Sequence, residues 1–470
     1  MFRNRHAPLL LLFSFVFVAP ARPDSASPGS GQALVREIFA ELININTTDS
    51  AGDNTKAAEA MAKRLRAAGL PANDVQVLAP KPRKGNLVAR LRGTGARRPL
   101  LLLAHLDVVE ARHEDWSFDP FVFREEGGFF YGRGTTDDKA MAAQLVANFI
   151  RFRQEGFRPD RDLILALTAD EEGGDSNGVA YLLEKHRPLI EAELGLNEGG
   201  GGGLRNGRRL ALSVQASEKV FQSFRLEVKN PGGHSSLPVP ENAIYRLAEG
   251  LLRIARFHFP VRLNEVTREF FGRTAKALGG PEAAAMKAIL NEPPDPAAAS
   301  LLSRQPYFNS LMRTTCVATQ LAGGHAENAL PQMARAVVNC RMLPDEAPGA
   351  VREALVRVLA DPQIEVTAVA DAKPSPPSPL TPDVLGPVER LTAVMFPGVP
   401  VVPVMSTGAT DSLYLRAAGI PMYGVDGMFS DLDDVRAHGR DERLPVSSLH
   451  EGQEFLYRLV KAMSSPEGGR

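Results

Sequence analysis

Strongly apolar runs alternate with amphipathic segments along most of this 470-residue chain. The runs "PLLLLAHLDVV" (99–109) and "RDLILALTAD" (161–170) are apolar on both faces, which is typical of central strands. Between them, "DKAMAAQLVANFIRFRQEG" (138–156) places its apolar residues at helical spacing. Strands that alternate with helices in this way predict an α/β fold with a mainly parallel sheet covered on both faces.

The pattern changes at "KVFQSFRLEVKN" (219–230), which alternates apolar and polar residues as a half-exposed antiparallel strand does. The following order of strand, helix, two strands, helix and strand predicts an inserted α+β domain of the ferredoxin-like kind, with an Ala-rich helical insert at about 264–304. The Pro-rich segment "KPSPPSPLTP" (373–382) marks the return to the first pattern. The predicted segments are therefore a leader at 1–25, a first domain in two parts at 31–216 and 373–465, and an inserted domain at 217–372.

The first residues differ in kind from the rest of the chain. Arg3 and Arg5 precede an apolar stretch from Leu9 to Ala19, and small residues follow, which is the layout of a secretory signal peptide. A membrane anchor is the alternative, but the stretch is short for a spanning helix. We expect cleavage near residues 21–26, export to the periplasm or the medium, and no stable membrane anchor afterwards.

Charge and cysteine content narrow the class of protein. The formal net charge of -1 gives no electrostatic reason to bind nucleic acid or an acidic membrane surface. An exported protein could pair its two cysteines, Cys316 and Cys340, but the sequence leaves a disulfide and two free thiols equally open. Because two cysteines cannot form a zinc site alone, any bound metal is expected to have histidine and carboxylate ligands.

Histidine and acidic residues lie where several predicted strands end. They are His105, Asp107, Asp137, Asp138, Asp170, Glu171, Glu172 and Glu198, with His438 in a later loop. Each alone has an ordinary explanation, since acids in loops are usually solvated and an Asp before a helix often caps it. Ligands of α/β sheets bind at the carboxyl ends of strands, and clustered carboxylates repel one another unless a cation lies among them. The set therefore predicts a metal site, and imidazole with carboxylates suits zinc, with manganese or cobalt as alternatives.

Two short patterns within this set predict separate roles. His105 and Asp107 are two residues apart, so on a strand both point to one face, and Asp107 is expected to accept a hydrogen bond from the distal ring nitrogen of His105. The neighbours Glu171 and Glu172 diverge in an extended segment. One of them is therefore expected to bind metal while the other faces the substrate as a base.

These motifs resemble the co-catalytic di-zinc aminoacylase/carboxypeptidase family, which includes acetylornithine deacetylase, succinyl-diaminopimelate desuccinylase, aminoacylase-1, glutamate carboxypeptidase and carboxypeptidase S. The resemblance covers nearly the whole chain after the leader. Its motifs, in chain order, are "AHLDVV", "YGRGTTDDKA", "TADEEGG", "LNEGG", "PGGHSSLP", "NALPQMARAVVNCRMLP", "STGATDSLYL" and "AHGRDERL". The resemblance implies a zinc-peptidase catalytic domain with an inserted domain that acts as a lid, a dimerisation surface or both.

The resemblance also implies a ligand set for two zinc ions, for which Co²⁺ or Mn²⁺ may substitute in this family. Asp137 is expected to bridge both ions. His105 and Glu198 would complete one site, and Glu172 and His438 the other. The peptide bond between Asp137 and Asp138 is expected to be cis, as it typically is in this family.

Roles for the remaining motif residues follow from the same resemblance. Glu171 is the expected general base, and Asp107 is expected to orient a ligand. His234, on the inserted domain, is expected to stabilise the oxyanion, often in the active site of the partner subunit. The residues expected to hold the carboxylate end of the substrate are Asn328, Arg341, Gly408 and Thr410.

The implied activity is hydrolysis of an amide bond by a metal-bridged hydroxide. We expect an exported homodimeric metallopeptidase of the carboxypeptidase or dipeptidase type, and an N-acyl-amino-acid hydrolase with the same site is the alternative. "LNEGG", "RTTCVATQL" and the helical insert are most similar to carboxypeptidase S and the secreted N-fatty-acyl amino acid hydrolases. A non-catalytic binding protein is a third possibility, but such proteins normally lack a ligand or the base, and this sequence has both.

Overall fold

The structure is a computed structural model, and it describes residues 28–465. The predicted leader, 1–25, lies outside the described residues. Within 28–465, no helix has both the length and the apolar character that crossing a membrane requires. In chain order the strands are β1 (Val75–Leu78), β2 (Asn86–Leu91), β3 (Leu100–His105), β4 (Arg124–Glu126), β5 (Phe129–Tyr131), β6 (Leu163–Thr168), β7 (Leu194–Asn197), β8 (Gly201–Arg205), β9 (Arg208–Glu218), β10 (Val220–Lys229), β11 (Gly233–His234), β12 (Thr315–Gly323), β13 (Ala329–Leu330), β14 (Met333–Met342), β15 (Glu365–Ala368), β16 (Val401–Ser406), β17 (Met422–Gly424), β18 (Phe429–Asp431) and β19 (Arg443–Pro445). The helices are α1 (Pro28–Ile43), α2 (Asn54–Ala67), α3 (Lys139–Gln154), α4 (Gly178–Lys185), α5 (Arg187–Ile190), α6 (Ala243–Arg256), α7 (Glu265–Ala277), α8 (Gly280–Ala288), α9 (Pro296–Leu302), α10 (Pro306–Met312), α11 (Pro348–Leu359), α12 (Pro382–Met395), α13 (Ser412–Ala417) and α14 (Val446–Ser464).

A ten-stranded sheet forms the centre of the molecule. Its order is β1-β2-β6-β3-β7-β17-β9-β8-β18, and β16 also pairs with β9. Neighbours among β6, β3, β7 and β17 run parallel, while β1 and β2 form an antiparallel edge. This arrangement confirms the predicted α/β class with a mainly parallel sheet.

The central strands are buried on both faces, as their unbroken apolar runs predict. Leu100 and Leu102 of β3 join a core cluster that includes most of α3, whereas Leu101 and Leu103 join a second cluster with α4 and α13. Alternate residues of a strand point to opposite faces, so one apolar strand supplies two separate cores. The parallel pairing places the ends of β3 and β6 together, with His105 opposite Thr168.

A separate four-stranded antiparallel sheet has the order β12-β14-β10-β15. Helices α6 and α11 pack on one of its faces around a third core cluster. This strand order, with two helices on one side, is that of the expected ferredoxin-like unit. Cys316 and Cys340 lie directly opposite each other on β12 and β14 and form a disulfide, which decides the question that the sequence left open.

The helical insert, α7 to α10, differs from the expectation that placed it in the inserted domain. Phe270, Phe271 and Met286 belong to the core cluster of the central sheet, and α7 packs on β16. The Arg273 guanidinium adds a hydrogen bond to the carbonyl of Val401. Periodicity shows that a helix has an apolar face, but it does not show which sheet that face covers. The boundaries at 216/217 and 372/373 stay predictions.

Candidate metal centre

The first group of possible ligands lies at the carboxyl edge of the central sheet. His105 is the last residue of β3, and Glu198 follows the last residue of β7. Together with Asp137 they form a set whose ligand atoms all lie within 4.8 Å of one another. The parallel pairing of β3 with β7 brings these strand ends together, as the sequence predicted from the edge rule.

The His105 ring is oriented by its own strand end. Nδ1 lies 3.0 Å from the backbone carbonyl of Asp107, and since a carbonyl only accepts, Nδ1 carries the hydrogen. Nε2 faces Asp137 Oδ1, 2.9 Å away, and is the ring atom left for a metal once its hydrogen is displaced. This tautomer makes Nε2 the available ligand atom.

The Asp107 carboxylate does not play the part predicted for it. Its nearer oxygen is 3.7 Å from Nδ1 of His105, and it instead accepts the backbone N–H groups of Glu171 and Glu172 at 3.1 and 2.9 Å. The expectation assumed that the strand continues through Asp107, but β3 ends at His105 and the chain turns. Asp107 therefore fixes the turn that carries the glutamate pair, and its carbonyl orients the histidine.

The second group consists of Asp137, Glu172 and His438, again with ligand atoms within 4.8 Å of one another. Nε2 of His438 lies 2.8 Å from Glu172 Oε1 and 3.0 Å from Asp137 Oδ2. Asp137 thus belongs to both groups and directs a different oxygen to each histidine. This is the geometry in which one carboxylate can bridge two cations.

The balance of charge in the two groups calls for cations. Burial, together with neighbouring acids, raises the pKa of Glu171 to about 10 and holds that of Glu198 well above its usual value. Burial also opposes ionisation of Asp137, but the hydrogen bonds from His105 and His438 outweigh it and lower its pKa. Several carboxyl groups therefore gather where they cannot all ionise unless positive charge lies among them.

A buried ion pair holds the loop that carries Asp137. The Glu442 carboxylate accepts Arg133 Nη1 at 2.6 Å, the backbone N–H and hydroxyl of Thr136 at 2.7 Å each, and the N–H of Gly134 at 3.1 Å. The other Arg133 nitrogen, Nη2, donates to the carbonyl of His438 at 3.3 Å. One ion pair thus fixes the loops of two ligands that lie 301 residues apart.

The expected cis bond between Asp137 and Asp138 is present, which confirms that prediction. The role of Glu442 was not among the predictions. Two features of the sequence indicate it: the arginine of a Gly-Arg-Gly loop beside buried strands needs an acidic partner, and Glu442 follows His438 by four residues. No role was predicted for Asp411 either, and its buried carboxylate accepts the hydroxyl of Thr168 at 2.9 Å.

The residues predicted to bind substrate lie outside both groups of ligands. His234 is exposed, and Ser236 contacts its ring. The backbone carbonyl of Asn328 accepts the N–H of Ser235, since β11 pairs with β13. Arg341 lies on β14, 4.8 Å from the Phe221 ring, and burial lowers its pKa.

The predicted backbone donors near the end of β16 are partly occupied. The N–H of Thr410 donates to Glu218 at 3.0 Å, and the N–H of Gly408 donates to the Ser406 hydroxyl at 3.1 Å. Within 28–465 no hydrogen bond or ion pair joins His234, Asn328, Arg341 or this loop to the five ligand residues. The structure thus assembles the ligand set but not the substrate set.

Comparison with known proteins agrees with this geometry. The family model described as "Peptidase family M20/M25/M40" matches residues 101–462. A solved structure of an M20 family metallo-carboxypeptidase, Sso-CP2 from Sulfolobus solfataricus, superposes with a TM-score of 0.68 at 18% identity, covering 91% of this chain and 99% of that one. At this identity the likeness supports the fold alone.

Two curated relatives are similar in sequence over most of their length. The human N-fatty-acyl-amino acid synthase/hydrolase PM20D1 is 28% identical over 375 residues, which cover 77% of this chain and 74% of the relative. A probable carboxypeptidase S-like 2 from Dictyostelium discoideum is 28% identical over 377 residues, which cover 77% and 71%. One relative is named for acyl-amino-acid chemistry and the other for a peptidase.

Proposed function

Because this chain belongs to peptidase family M20/M25/M40 and is a metallohydrolase, we propose that it hydrolyses the amide bond of small substrates that end in a free carboxylate. One observation carries the proposal. Two groups of ligand atoms share Asp137, and the Glu171 carboxyl group lies beside them. That arrangement combines a site for two cations with a candidate base.

The residues present fit two zinc ions. Every ligand atom is a carboxylate oxygen or imidazole nitrogen, Nδ1 of His105 is engaged by a carbonyl so that Nε2 is left to bind, and the acids gathered here need positive charge among them. Bound zinc supplies Lewis acidity, which acidifies a water molecule and polarises a carbonyl. His105, Asp137 and Glu198 would hold one ion, and Asp137, Glu172 and His438 the other.

Glu171 acts as the general base in this proposal. Its backbone N–H is held by Asp107, and its carboxyl group is near Glu198 and Glu172. Positive charge placed among these acids lowers the pKa of Glu171, so that it can accept a proton and then deliver it to the leaving amine. Asp107 is a positioning residue, because it sets the turn that separates the base from the neighbouring ligand Glu172.

His234 contributes an oxyanion donor in this proposal, and the inserted domain works as a lid in a homodimer. The support is its placement, since His234 is exposed and lies outside both ligand groups. It therefore reaches a substrate only by movement of its segment or from a partner subunit. The exposed edge strand β12, with Val317 61% and Leu321 70% exposed, offers a surface for the second copy.

Two substrate classes follow from the relatives. A peptidase of the carboxypeptidase or dipeptidase type is supported by the similarity to carboxypeptidase S-like 2. An N-acyl-amino-acid hydrolase is supported by the similarity to PM20D1. Export is also proposed, because the disulfide between Cys316 and Cys340 favours an oxidising compartment and the first residues have the layout of a signal peptide.

Purified, zinc-loaded protein tested against dipeptides, N-acetyl amino acids and long-chain N-acyl amino acids separates these classes. Each substrate is paired with its C-terminal carboxamide, and release of free amine is measured. We expect hydrolysis only of substrates with a free carboxylate, lost when a chelator removes the metal and restored by zinc. Release from long-chain substrates alone would exclude the peptidase type, and equal rates on the carboxamides would contradict the proposed carboxylate requirement.

A further inference from the structure

A buried polar cluster occupies the point where the chain leaves the central sheet for the four-stranded sheet. Strand β9 ends at Glu218, Lys219 follows, and β10 begins at Val220. The Glu218 side chain is fully buried. Its Oε1 lies 3.1 Å from Nη1 of Arg416, which is buried as well, so the crossing contains an ion pair shielded from water.

The segment in which the chain returns to the central sheet includes Ser375 and Ser378, and it lies beside the crossing at Glu218 and Lys219. The hydroxyl of Ser375 donates to Glu218 Oε1 at 2.8 Å, and the N–H of Ser378 donates to the carbonyl of Ala216 at 2.8 Å. Lys219 extends the connection to the second sheet, since its ammonium donates to the carbonyl of Arg313 at 2.7 Å, close to the start of β12. The segment that leaves the central sheet at Glu218 and the segment that returns to it near Ser375 are therefore bound to one another.

The same two residues hold both ends of loop 406–410, which follows β16. The N–H of Lys219 donates to the carbonyl of Ser406 at 3.0 Å, at the start of the loop. At its far end, Oε2 of Glu218 accepts the N–H of Thr410 at 3.0 Å and the Thr410 hydroxyl at 3.2 Å. The loop between these anchors carries Gly408, half-buried and bonded only within the loop.

The loop is also tied to the strand that precedes the base. Asp411, next to Thr410, accepts the hydroxyl of Thr168 at 2.9 Å and the amide of Asn177 at 2.6 Å. Thr168 ends β6, three residues before Glu171. Loop 406–410 is therefore held in two ways. Asp411 binds it to β6 of the central sheet, and Glu218 binds it to the crossing.

We infer that Glu218 is a positioning residue for substrate recognition: it holds loop 406–410 in the conformation that receives the substrate carboxylate and links that conformation to the crossing between the two sheets. The inference rests on the proposed function, in which this loop contacts the carboxylate end of the substrate. Among residues 28–465, Glu218 makes no hydrogen bond or ion pair with any of the five ligand residues, so its effect is on recognition rather than on the metal centre.

Burial raises the pKa of Glu218, but Arg416 and the donors at Ser375 and Thr410 favour its ionised form, so the charge of this side chain matters for the hold on the loop. Hydrogen bonds to a carboxylate are roughly twice as strong as those between neutral groups. Glu218→Gln keeps the shape but removes the charge and turns one acceptor into a donor that faces Ser375 and Arg416 or Thr410. The loop then loses the charged acceptor at its fixed end, and Arg416 loses its ionic partner.

The test compares wild-type protein with Glu218→Gln on a substrate with a free carboxylate and on its carboxamide. We expect KM for the carboxylate to rise about tenfold, kcat to change less than about twofold, and the preference for carboxylate over carboxamide to fall by the same tenfold. Metal content stays at two equivalents. Unchanged preference in a variant that is otherwise folded, or loss of a metal, would overturn the inference.

A second measurement does not depend on turnover. Hydrogen exchange of the amides at 407–410 is expected to be faster in Glu218→Gln than in wild type, and unchanged in Thr392→Val, a matched control that removes a buried hydroxyl bonded within α12. If wild type cleaves nothing, the proposed function fails while the exchange result still decides whether Glu218 fixes the loop. Equal exchange in wild type and Glu218→Gln would overturn the inference even for an active enzyme.

Discussion

The carboxyl edge of the central sheet and the predicted inserted domain, 217–372, present their functional residues in opposite ways. At the first, His105, Asp107 and Glu442 are buried, and each has at least one hydrogen-bond partner. At the second, His234 is exposed and bonded to a neighbouring serine, and β12 is an open edge. The buried residues of the first region are thus held by hydrogen bonds to distant parts of the chain, whereas His234 lies where its segment can rearrange.

The largest effect is expected at the buried edge. Glu171→Ala should lower kcat about 10³-fold, because a general base contributes at most about 10⁴-fold and no other described acid is placed to replace it. Both metals should stay bound, since Glu171 belongs to neither ligand group. Amine release and metal content measure the two expectations, with the exposed Glu184→Ala as control. An active variant would show that the base is another residue.

His234→Ala tests the role of the exposed histidine in the second region. Loss of an oxyanion donor should lower kcat about 10²-fold. Because the side chain is exposed, the melting temperature and the metal content should stay at wild-type values. His113→Ala, another exposed histidine with a single ionic partner, is the matched control. If kcat is unchanged, the lid role assigned to His234 is wrong.

Glu442→Gln tests whether the buried edge depends on residues that touch no metal. The substitution leaves the Arg133 charge without its ionic partner and weakens the hold on the Asp137 loop. Metal affinity should fall about 10- to 100-fold, as it does when supporting residues of metal sites are removed. Competition with a chelator measures the change. Glu451→Gln, which breaks a half-exposed pair with Arg209, should have little effect.

Removal of the disulfide should affect only the second region, because Cys316 and Cys340 both lie in the four-stranded sheet. Replacing Cys316 and Cys340 by serine opens a loop with a sequence separation of 24 and should lower the free energy of unfolding by about 3 kcal/mol. Urea unfolding and hydrogen exchange in β12 and β14 report this loss. Metal affinity should not move, since the disulfide lies outside both ligand groups. A shift in metal affinity would show that the two regions are coupled more widely than through the crossing.

The smallest effect is expected on the pH dependence of the free energy of unfolding, through Lys219 at the crossing. Burial lowers the pKa of Lys219 to about 7. Between that value and the ordinary lysine value of about 10.4, the unfolded chain binds more protons than the native state, so stability rises with pH through this window by at most about 1.4 kcal/mol per unit. Lys219→Met should remove that rise. Urea midpoints at pH 7 and pH 9 measure it, and an equal rise in both proteins would contradict it.

Local pattern predicted the fold class and the residue types of the site well. Alternating strands and helices gave the parallel sheet, and the acids and histidines at strand ends are the residues that the structure brings together. The role of the Asp107 carboxylate was not predictable, because the sequence did not show that β3 ends at His105. Nor was the place of the helical insert, since an apolar helix face can cover either sheet.

By itself the sequence predicted which histidine and acidic side chains lie together, because the carboxyl ends of parallel strands meet at one edge of a sheet. Only the tertiary structure decided which atoms meet. Glu442 contacts Arg133 across 309 residues, and Glu218 contacts Thr410 across 192. Such contacts leave no local periodicity, since they arise from the pairing of distant strands and from burial that requires every charge to find a partner. The candidate metal ligands could therefore be predicted from the sequence. The supporting residue Glu442 and the contact between Glu218 and Thr410 could not.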